Sequence, residues 1–180
     1  MFRSLLALFI LFQAGATRSL PATDVKAADI QATVEREKST NTTDIPIRTV
    51  DAGGHNVGIA VVHRGKGTNL MAAAVHDKIS EVYQVLEGSG TFVTGGRLVN
   101  PQRREANSET VTQLSGPGSS GTGIQGGVSR RLSKGDMVVI PAGTPHLFTD
   151  VQEPITYSIV RIDPGRVMAL KYHAGVTRYT

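Results

Sequence analysis

The sequence predicts an all-β domain, built as an antiparallel sandwich or barrel and preceded by one short helix. From Asp44 onward, short runs rich in β-branched residues alternate with Gly, Pro, Asn and Asp, a pattern typical of many short antiparallel strands. The composition agrees, because 39% hydrophobic and 19% charged residues in a chain of 180 are ordinary for a globular protein. We therefore expect one domain with its own core.

The first residues, MFRSLLALFILFQAGA, have the form of a secretory signal peptide. Arg3 supplies the positive charge, Leu5 to Phe12 form the apolar run, and Ala14-Gly15-Ala16 has the small-x-small form of a cleavage site. The apolar run is too short to span a bilayer, although an uncleaved anchor helix is the alternative. We expect a secreted or periplasmic mature protein without a stable membrane anchor.

Charge and cysteine content argue against two classes of protein, nucleic-acid-binding proteins and lipid-anchored lipoproteins. The formal net charge of +4 comes from scattered basic residues, so the sequence lacks the clustered patch that nucleic-acid binding requires. The chain contains no cysteine, so it is not a lipid-anchored bacterial lipoprotein. Because the chain has no cysteine, export to an oxidising compartment adds no disulfide bonds. Packing alone must therefore stabilise the fold.

The segment TDVKAADIQATVEREKS predicts a helix of about three turns, capped by Thr23 or Asp24. The predicted strands that follow are IPIRTV, NVGIAVVHR, NLMAAAVH, EVYQVLEG, GTFVTGG, GVSRRL, MVVIP, HLFTD and ITYSIVRI. The chain therefore divides into a signal peptide (1–16), an N-terminal helical segment (17–43), a barrel (44–165) with a Gly/Ser-rich insertion (101–122), and a C-terminal segment (166–180).

The Gly/Ser-rich insertion interrupts the regular spacing of the strands. A long loop without secondary structure inside a compact domain is usually disordered or functional, for example as a lid over a site. The adjoining GTGIQG, Gly121 to Gly126, matches the dinucleotide fingerprint G-x-G-x-x-G, but it lacks the strand before it and the helix after it. We interpret its glycines as loop and turn residues.

His76 and Glu81 lie five positions apart in VHDKISEVYQVLEG, a segment that otherwise has strand character. On one continuous strand they would point to opposite faces. If one strand ends at His76 and the next begins at Glu81, DKIS becomes a hairpin turn and both side chains face the interior. Alternation then places the following residues on the same inner face: Leu70, Ala72, Ala74, Tyr83, Val85 and Glu87.

These residues belong to motifs that resemble those of the cupin superfamily, in particular its small, secreted, single-domain members. Glu81 and Gly88 match the second half of the first cupin motif, G-x5-H-x-H-x3,4-E-x6-G. GDMVVIPAGTPHLFTD matches the second motif, with His146 at the histidine position and Asp150 in place of the usual asparagine. The resemblance implies a double-stranded β-helix (jelly-roll) barrel that holds a divalent metal ion with His76, Glu81 and His146.

One departure from the family pattern bears on the metal. Ala74 stands where the first cupin histidine is expected, and Thr68 stands where the leading glycine is expected. Two imidazoles and one carboxylate remain, a set that suits Fe(II), Mn, Zn or Ni and leaves coordination positions open. Since many cupin-fold proteins have lost metal binding, a metal-free site is the alternative.

Other residues admit two interpretations. A buried Glu81 needs a cation, which is a metal ion or, alternatively, Lys78 or an arginine. Tyr83 and Phe148 share the inner face and either pack the barrel or contact a substrate. Arg161 either holds an anionic substrate group or forms a salt bridge at the rim. We interpret His55, His63 and His173 as hydrogen-bonded core or rim residues.

Fold alone does not determine function here. The leading hypothesis is a secreted metal-dependent enzyme that acts on a small organic molecule, with oxygenase, isomerase and lyase chemistry all compatible. The alternative is a non-catalytic cupin that binds a small ligand, such as a sugar, without turnover. As cupins often form dimers, a homodimer is expected.

Overall fold

The computed structural model describes residues 20–40, 43–68 and 72–172 of the chain. The predicted signal peptide, Leu70 and His173 lie outside these residues. The secondary structure elements are α1 Ala27–Thr40, β1 Ile45–Asp51, β2 Asn56–Arg64, β3 Gly67–Thr68, β4 Ala73–His76, β5 Ser80–Thr94, β6 Arg97–Val99, β7 Gln102–Arg103, a π-helix Thr110–Ser115, β8 Gly118–Gly121, β9 Gly123–Gln125, β10 Val128–Ser133, β11 Met137–Ile140, β12 His146–Asp163 and β13 Lys171–Tyr172.

The predicted N-terminal helix is present, but it begins at Ala27 and is not capped by Thr23 or Asp24. Asp24 instead pairs with the ammonium group of Lys26 at 2.5 Å, and Asp29 in the first turn accepts a bond from the Lys26 amide at 3.4 Å. The helix buries Val34 against β1 and β2, where it packs in a small apolar cluster. Among the described residues, no helix is long and apolar enough to cross a bilayer.

Two long strands, β5 and β12, form the centre of the fold. Each joins two of the predicted short strands, EVYQVLEG with GTFVTGG in β5 and HLFTD with ITYSIVRI in β12. They pair antiparallel along their length, with register shifts between Phe148 and Tyr157 that mark bulges. Bulges bend a strand, so two long strands can pass from one part of the sheet to another without a turn.

The predicted all-β, jelly-roll type of fold is confirmed, but the sheet is not closed into a barrel. Eleven strands form one sheet in the order β13-β1-β2-β12-β4-β8-β7, with β3, β5, β10 and β11 attached beside this path. In the described part of the chain, the edge strands β13 and β7 contain two residues each.

The segment DKIS is not a hairpin turn, contrary to the sequence prediction. β4 pairs with β8 and, through Ala74, with His146 of β12, whereas β5 pairs with β10, β11 and β12. The end of β4 is held by other loops, because the Asp77 amide donates to Pro117 and the carbonyl of His76 accepts from the Gly143 amide at 2.7 Å. His76 and Glu81 therefore meet across two non-adjacent strands.

The predicted alternation in β5 is correct for the first residues and fails at Glu87. Glu81, Tyr83 and Val85 are buried, while Glu87 is exposed rather than interior. Gly88 follows with a φ of 75°, and a Cβ there would lie 1.9 Å from the Pro154 carbonyl oxygen. The pairing of β5 with β12 shifts register between Val85 and Glu87, and this bulge interrupts the period of two.

The predicted structureless insertion contains regular structure. It includes β7, the π-helix and β8, and β8 pairs with β4 from Ala73 to His76. Val111 and Ser115 of the π-helix are buried. The GTGIQG stretch overlaps β9, which pairs with β6 in a separate two-stranded sheet, and no helix follows it. The insertion is therefore part of the wall around the interior.

Candidate metal centre

Three buried side chains converge at one end of the interior. His76 ends β4, Glu81 lies near the start of β5, and His146 begins β12. The Oε2 atom of Glu81 lies 3.5 Å from Nε2 of His76 and 3.3 Å from Nε2 of His146. One donor atom from each residue lies within 4.8 Å of the other two. These three residues could therefore hold a metal ion.

The turn before β12 presents His146 as the second motif predicts. Gly143 has a φ of 80°, and the Thr144 amide donates to the Pro141 carbonyl at 3.1 Å, which forms a tight turn. The Nδ1 atom of His146 lies 3.0 Å from the Thr144 carbonyl oxygen. Because a carbonyl only accepts, Nδ1 carries the proton and Nε2 directs a lone pair toward Glu81.

Burial and neighbouring charges set the ionisation of the other two residues. Burial lowers the pKa of His76 to about 3, despite the opposing attraction of Glu81. Burial alone would raise the pKa of Glu81, but His76 and Arg161 lower it to about 2. At neutral pH His76 is neutral and Glu81 is ionised, which are the forms in which these groups bind metals.

Arg161 neutralises Glu81 from within the protein. Its Nε donates to Oε1 of Glu81 at 2.9 Å, and its Nη2 donates to Oδ2 of Asp44 at 2.7 Å. Arg161 is buried, so this is not the salt bridge at the rim that the sequence allowed. The alternative that an arginine pairs with Glu81 is correct, and Lys78 is not the partner.

Tyr83 completes the surroundings of the carboxylate. Its hydroxyl donates to Oε2 of Glu81 at 3.1 Å. Burial, followed by the charge of Glu81, raises the pKa of Tyr83 well above its usual value, so the phenol keeps its proton. Tyr83 thus acts as a hydrogen-bond donor that orients Glu81.

A cavity of about 260 Å³ adjoins the three residues. Its polar and charged lining residues are Thr43, Asp44, Arg64, His76, Tyr83, Arg104, Thr110, Ser115, Ser120, His146, Tyr157 and Arg161. The insertion that the sequence suggested as a lid supplies several of them, among them Arg104. The Oδ1 atom of Asp44 is buried without a hydrogen-bond partner, so the cavity also offers a free acceptor.

The sequence interpretation missed Asp44, Arg64 and Arg104. Arg64 could have been found, because alternation along NVGIAVVHR places it on one face with Val62 and Ala60, which are buried. Asp44 precedes β1 with a φ of 66°, and Arg104 follows β7 in a segment without periodicity. No pattern in the sequence indicates the position of these two side chains.

The remaining predicted residues occupy different environments. Ala74 lines the cavity beside His76 and is the cross-strand neighbour of His146, so the position of the absent histidine faces the centre. Phe148 packs against Phe92 and Tyr157, with ring centroids 4.6 and 5.3 Å away, and it is not among the residues that line the cavity. The carboxylate of Asp150 accepts a bond from Gln152 at 2.6 Å.

The two described histidines outside the motifs, His55 and His63, are not among the three residues of the centre. Nδ1 of His63 lies 2.9 Å from the Thr156 hydroxyl, and the His63 amide donates to Glu37 of α1. The carbonyl of His55 accepts from the Ala52 amide in the turn between β1 and β2. The contact of His63 agrees with its interpretation as a hydrogen-bonded core or rim histidine.

The donor set fits a divalent ion. Two imidazoles and a carboxylate are ligands for Fe(II), Mn, Ni and Zn, and His76 is neutral while Glu81 is ionised at neutral pH. Oε2 of Glu81 faces the histidines, while Oε1 is occupied by Arg161. One contact opposes the fit, because Nη1 of Arg104 lies 3.3 Å from Nδ1 of His76.

Comparison with known proteins finds similarity in structure only. No protein-family model matches the chain, and no curated protein matches it in sequence. A protein from Bacillus halodurans is similar in structure with 17% identity and a TM-score of 0.44, covering 87% of this chain and 88% of that one. A cupin protein from Bacteroides fragilis has 14% identity and a TM-score of 0.41, covering 77% and 92%.

The DMSP lyase DddQ from Ruegeria pomeroyi has 18% identity and a TM-score of 0.42, with 76% of this chain and 56% of the lyase covered. At these identities the likeness concerns the fold alone.

Proposed function

We propose that this chain, with its cupin-type fold, is a secreted protein that holds one divalent ion with His76, Glu81 and His146. It acts on a small organic molecule that enters the adjoining cavity. The observation that carries the proposal is the convergence of three buried donor atoms within 4.8 Å of one another. Burial of an ionised carboxylate beside two imidazoles is costly unless cations or donors offset it, and a metal ion is one such cation.

When bound, the ion would polarise a substrate oxygen or activate water or dioxygen. The residues of the chain position and orient the site. Thr144 fixes the ring of His146 so that its lone pair faces inward, and Arg161 and Tyr83 hold the carboxylate of Glu81. Ala74 leaves space beside His146 where a fourth protein ligand would otherwise stand.

Secretion is part of the proposal and is supported by the form of residues 1–16, which combine a basic start, an apolar run and a small-x-small site. Residues 20–172, in their described part, include no helix that could span a membrane. Fusion of residues 1–16 to a reporter enzyme, followed by assay of the medium or periplasm, tests this part separately.

A second function is supported by the ion pair in the centre. Arg161 and Tyr83 already donate hydrogen bonds to the carboxylate of Glu81, so this carboxylate has a cationic partner without a metal ion. In that case the protein is a non-catalytic module that binds a small ligand, such as a sugar, in the same cavity. The two functions differ in whether the purified protein retains a metal.

Elemental analysis of protein purified without added metal tests the proposal. We expect about one equivalent of Fe, Mn, Ni or Zn per chain, and a large loss of metal in His146→Ala. The matched control is His63→Ala, which removes a half-buried histidine that contacts Thr156 and lies outside the centre. If the protein retains no metal, and if none of the four ions raises its melting temperature, the metal proposal is wrong.

A further inference from the structure

The cavity contains more positive than negative charge. Arg64, Arg104 and Arg161 line it, and the carboxylates are Asp44 in the lining and Glu81 beneath it. Three guanidinium groups and two carboxylates give a net charge of +1. Arg161 contacts both carboxylates, so it is fully compensated. The excess of positive charge therefore resides on Arg64 and Arg104.

Arg64 is a buried guanidinium group without a carboxylate partner. It is 6% exposed, and its Nε donates to the Tyr157 hydroxyl at 3.1 Å. Within the described residues, it forms no ion pair with any Asp or Glu. A charged group is rarely buried without a counter-charge. The terminal nitrogens of Arg64 are therefore suited to bind an anion that is not part of the chain.

Arg104 is a second unpaired guanidinium group on the wall of the same cavity. Its Nη1 donates to the Val75 carbonyl and to Nδ1 of His76, both at 3.3 Å, which are long and neutral contacts. The nearby carboxylate of Asp77 is taken by Arg103, at 2.6 Å. Arg104 is therefore left with donors that no acidic side chain of the described residues satisfies.

We propose that the cavity binds a small organic anion whose carboxylate or phosphate group is held by Arg64 and Arg104. Arginine suits this role because its planar fork of N–H groups matches the oxygens of both anions. The inference names the ligand class for the proposed function, and it rests on that proposal only in placing the ligand in this cavity. A divalent ion at the centre would add positive charge and favour the anion further.

The size and lining of the cavity limit the ligand. A volume of about 260 Å³ corresponds to roughly nine water molecules, so the ligand is small. The wall beyond the arginines combines the apolar Val62, Leu114 and Ile159 with the hydroxyl groups of Thr110, Ser115 and Ser120. A short organic acid or a small phosphorylated compound fits this combination.

The experiment measures anion binding to metal-free protein. The protein is treated with EDTA, dialysed to remove it, and titrated by calorimetry with malonate, with inorganic phosphate and with malonamide, the neutral counterpart of malonate. We expect malonate or phosphate to bind and malonamide not to bind. Arg64→Met and Arg104→Met should each weaken binding about tenfold or more. Arg130→Met is the matched control, because Arg130 is half-buried, bonds to the Thr94 hydroxyl and lies outside the cavity.

The outcomes separate the two anion classes and separate this inference from the metal proposal. Tighter binding of malonate assigns an organic acid, and tighter binding of phosphate assigns a phosphorylated ligand. If neither anion binds, if malonamide binds equally well, or if neither substitution weakens binding, the inference is wrong. If Arg64→Met does not fold, the anion affinity of Arg104→Met, which changes a half-buried residue, decides whether the inference holds. If protein purified without chelator contains no metal but still binds the anion, the metal proposal is wrong and this inference stands.

Discussion

Nη1 of Arg104 lies 3.3 Å from Nδ1 of His76, and this contact determines which nitrogen of the ring carries the proton. A guanidinium group only donates, so Nδ1 accepts and a neutral His76 carries its proton on Nε2. That N–H faces Oε2 of Glu81 at 3.5 Å. His146 is the opposite tautomer, because its Nδ1 donates to the Thr144 carbonyl and the lone pair of its Nε2 faces the centre. Binding of an ion by His76 therefore requires Arg104 to move and the ring to change tautomer.

The first prediction is that Arg104→Met strengthens metal binding. Without the guanidinium group, Nδ1 of His76 is free to carry the proton and Nε2 can bind the ion. Since groups that contact a ligating histidine commonly change metal affinity by 10–100-fold, we expect an increase of up to about tenfold. The measurement is competition with a chromophoric chelator for Zn or Mn.

The control for this prediction is Arg103→Met. Arg103 is the neighbouring residue, but it pairs with Asp77 at 2.6 Å and does not contact His76. Its substitution should leave metal affinity unchanged. A lower affinity in Arg104→Met than in the wild type would show that Arg104 supports the centre instead of opposing it.

A second prediction concerns the position of the absent cupin histidine. Ala74 is the cross-strand partner of His146 and lines the cavity. Ala74→His should therefore place a fourth donor at the centre and tighten metal binding by about tenfold or more in the same competition assay. Ser119→His is a suitable control, since Ser119 pairs with Val75 and points to the other face of the sheet. Equal affinities of the two variants would mean that position 74 does not reach the ion.

The third prediction is that Arg161→Met strongly destabilises the fold. The substitution leaves Glu81 buried without its principal cation and removes the partner of Asp44. Loss of one member of a buried ion pair typically costs about 3–5 kcal/mol in the free energy of unfolding. Arg166→Met, which breaks the exposed pair with Asp51, should cost much less, because solvent screens that pair. Urea denaturation of both variants provides the comparison, and similar losses would contradict the role assigned to Arg161.

The fourth prediction is a pH dependence from Glu37 of α1. Its carboxylate is buried and accepts bonds from the amides of Ile45, at 3.0 Å, and of His63. Burial raises its pKa from 4.5 to about 7. A raised pKa means that the folded state holds a proton that the unfolded state releases. This contribution to stability is complete below pH 4.5 and is lost as the pH rises to about 7.

Denaturation at several pH values checks this prediction. The free energy of unfolding of the wild type should fall across this range, and the fall should be smaller in Glu37→Gln. Glu35→Gln removes an exposed carboxylate of the same helix, paired with Lys38 at 3.0 Å, and should retain the pH dependence of the wild type. If Glu37→Gln also retains it, another group is responsible.

The sequence predicted the parts of the site that follow from local pattern. His146 was placed correctly because a proline and a glycine fix the turn before it. The alternation from Glu81 to Val85 is also correct, and it ends at a bulge between Val85 and Glu87 that residue spacing does not reveal. The strand pairings could not be predicted, because they depend on contacts between distant segments. For the same reason the role of Arg161 was underestimated, since its partner Asp44 lies 117 residues away in sequence.

The bond between Asp44 and Arg161 has a consequence for the design of shortened proteins. Composition places a domain boundary at residue 44, yet Asp44 reaches the buried centre through Arg161, and Glu37 binds backbone amides of β1 and β2. A recombinant version that starts at Ile45 would lose both attachments. Expression trials of the isolated domain should therefore retain the chain from Leu20 onward, and a trimmed variant that fails to fold would not argue against the site.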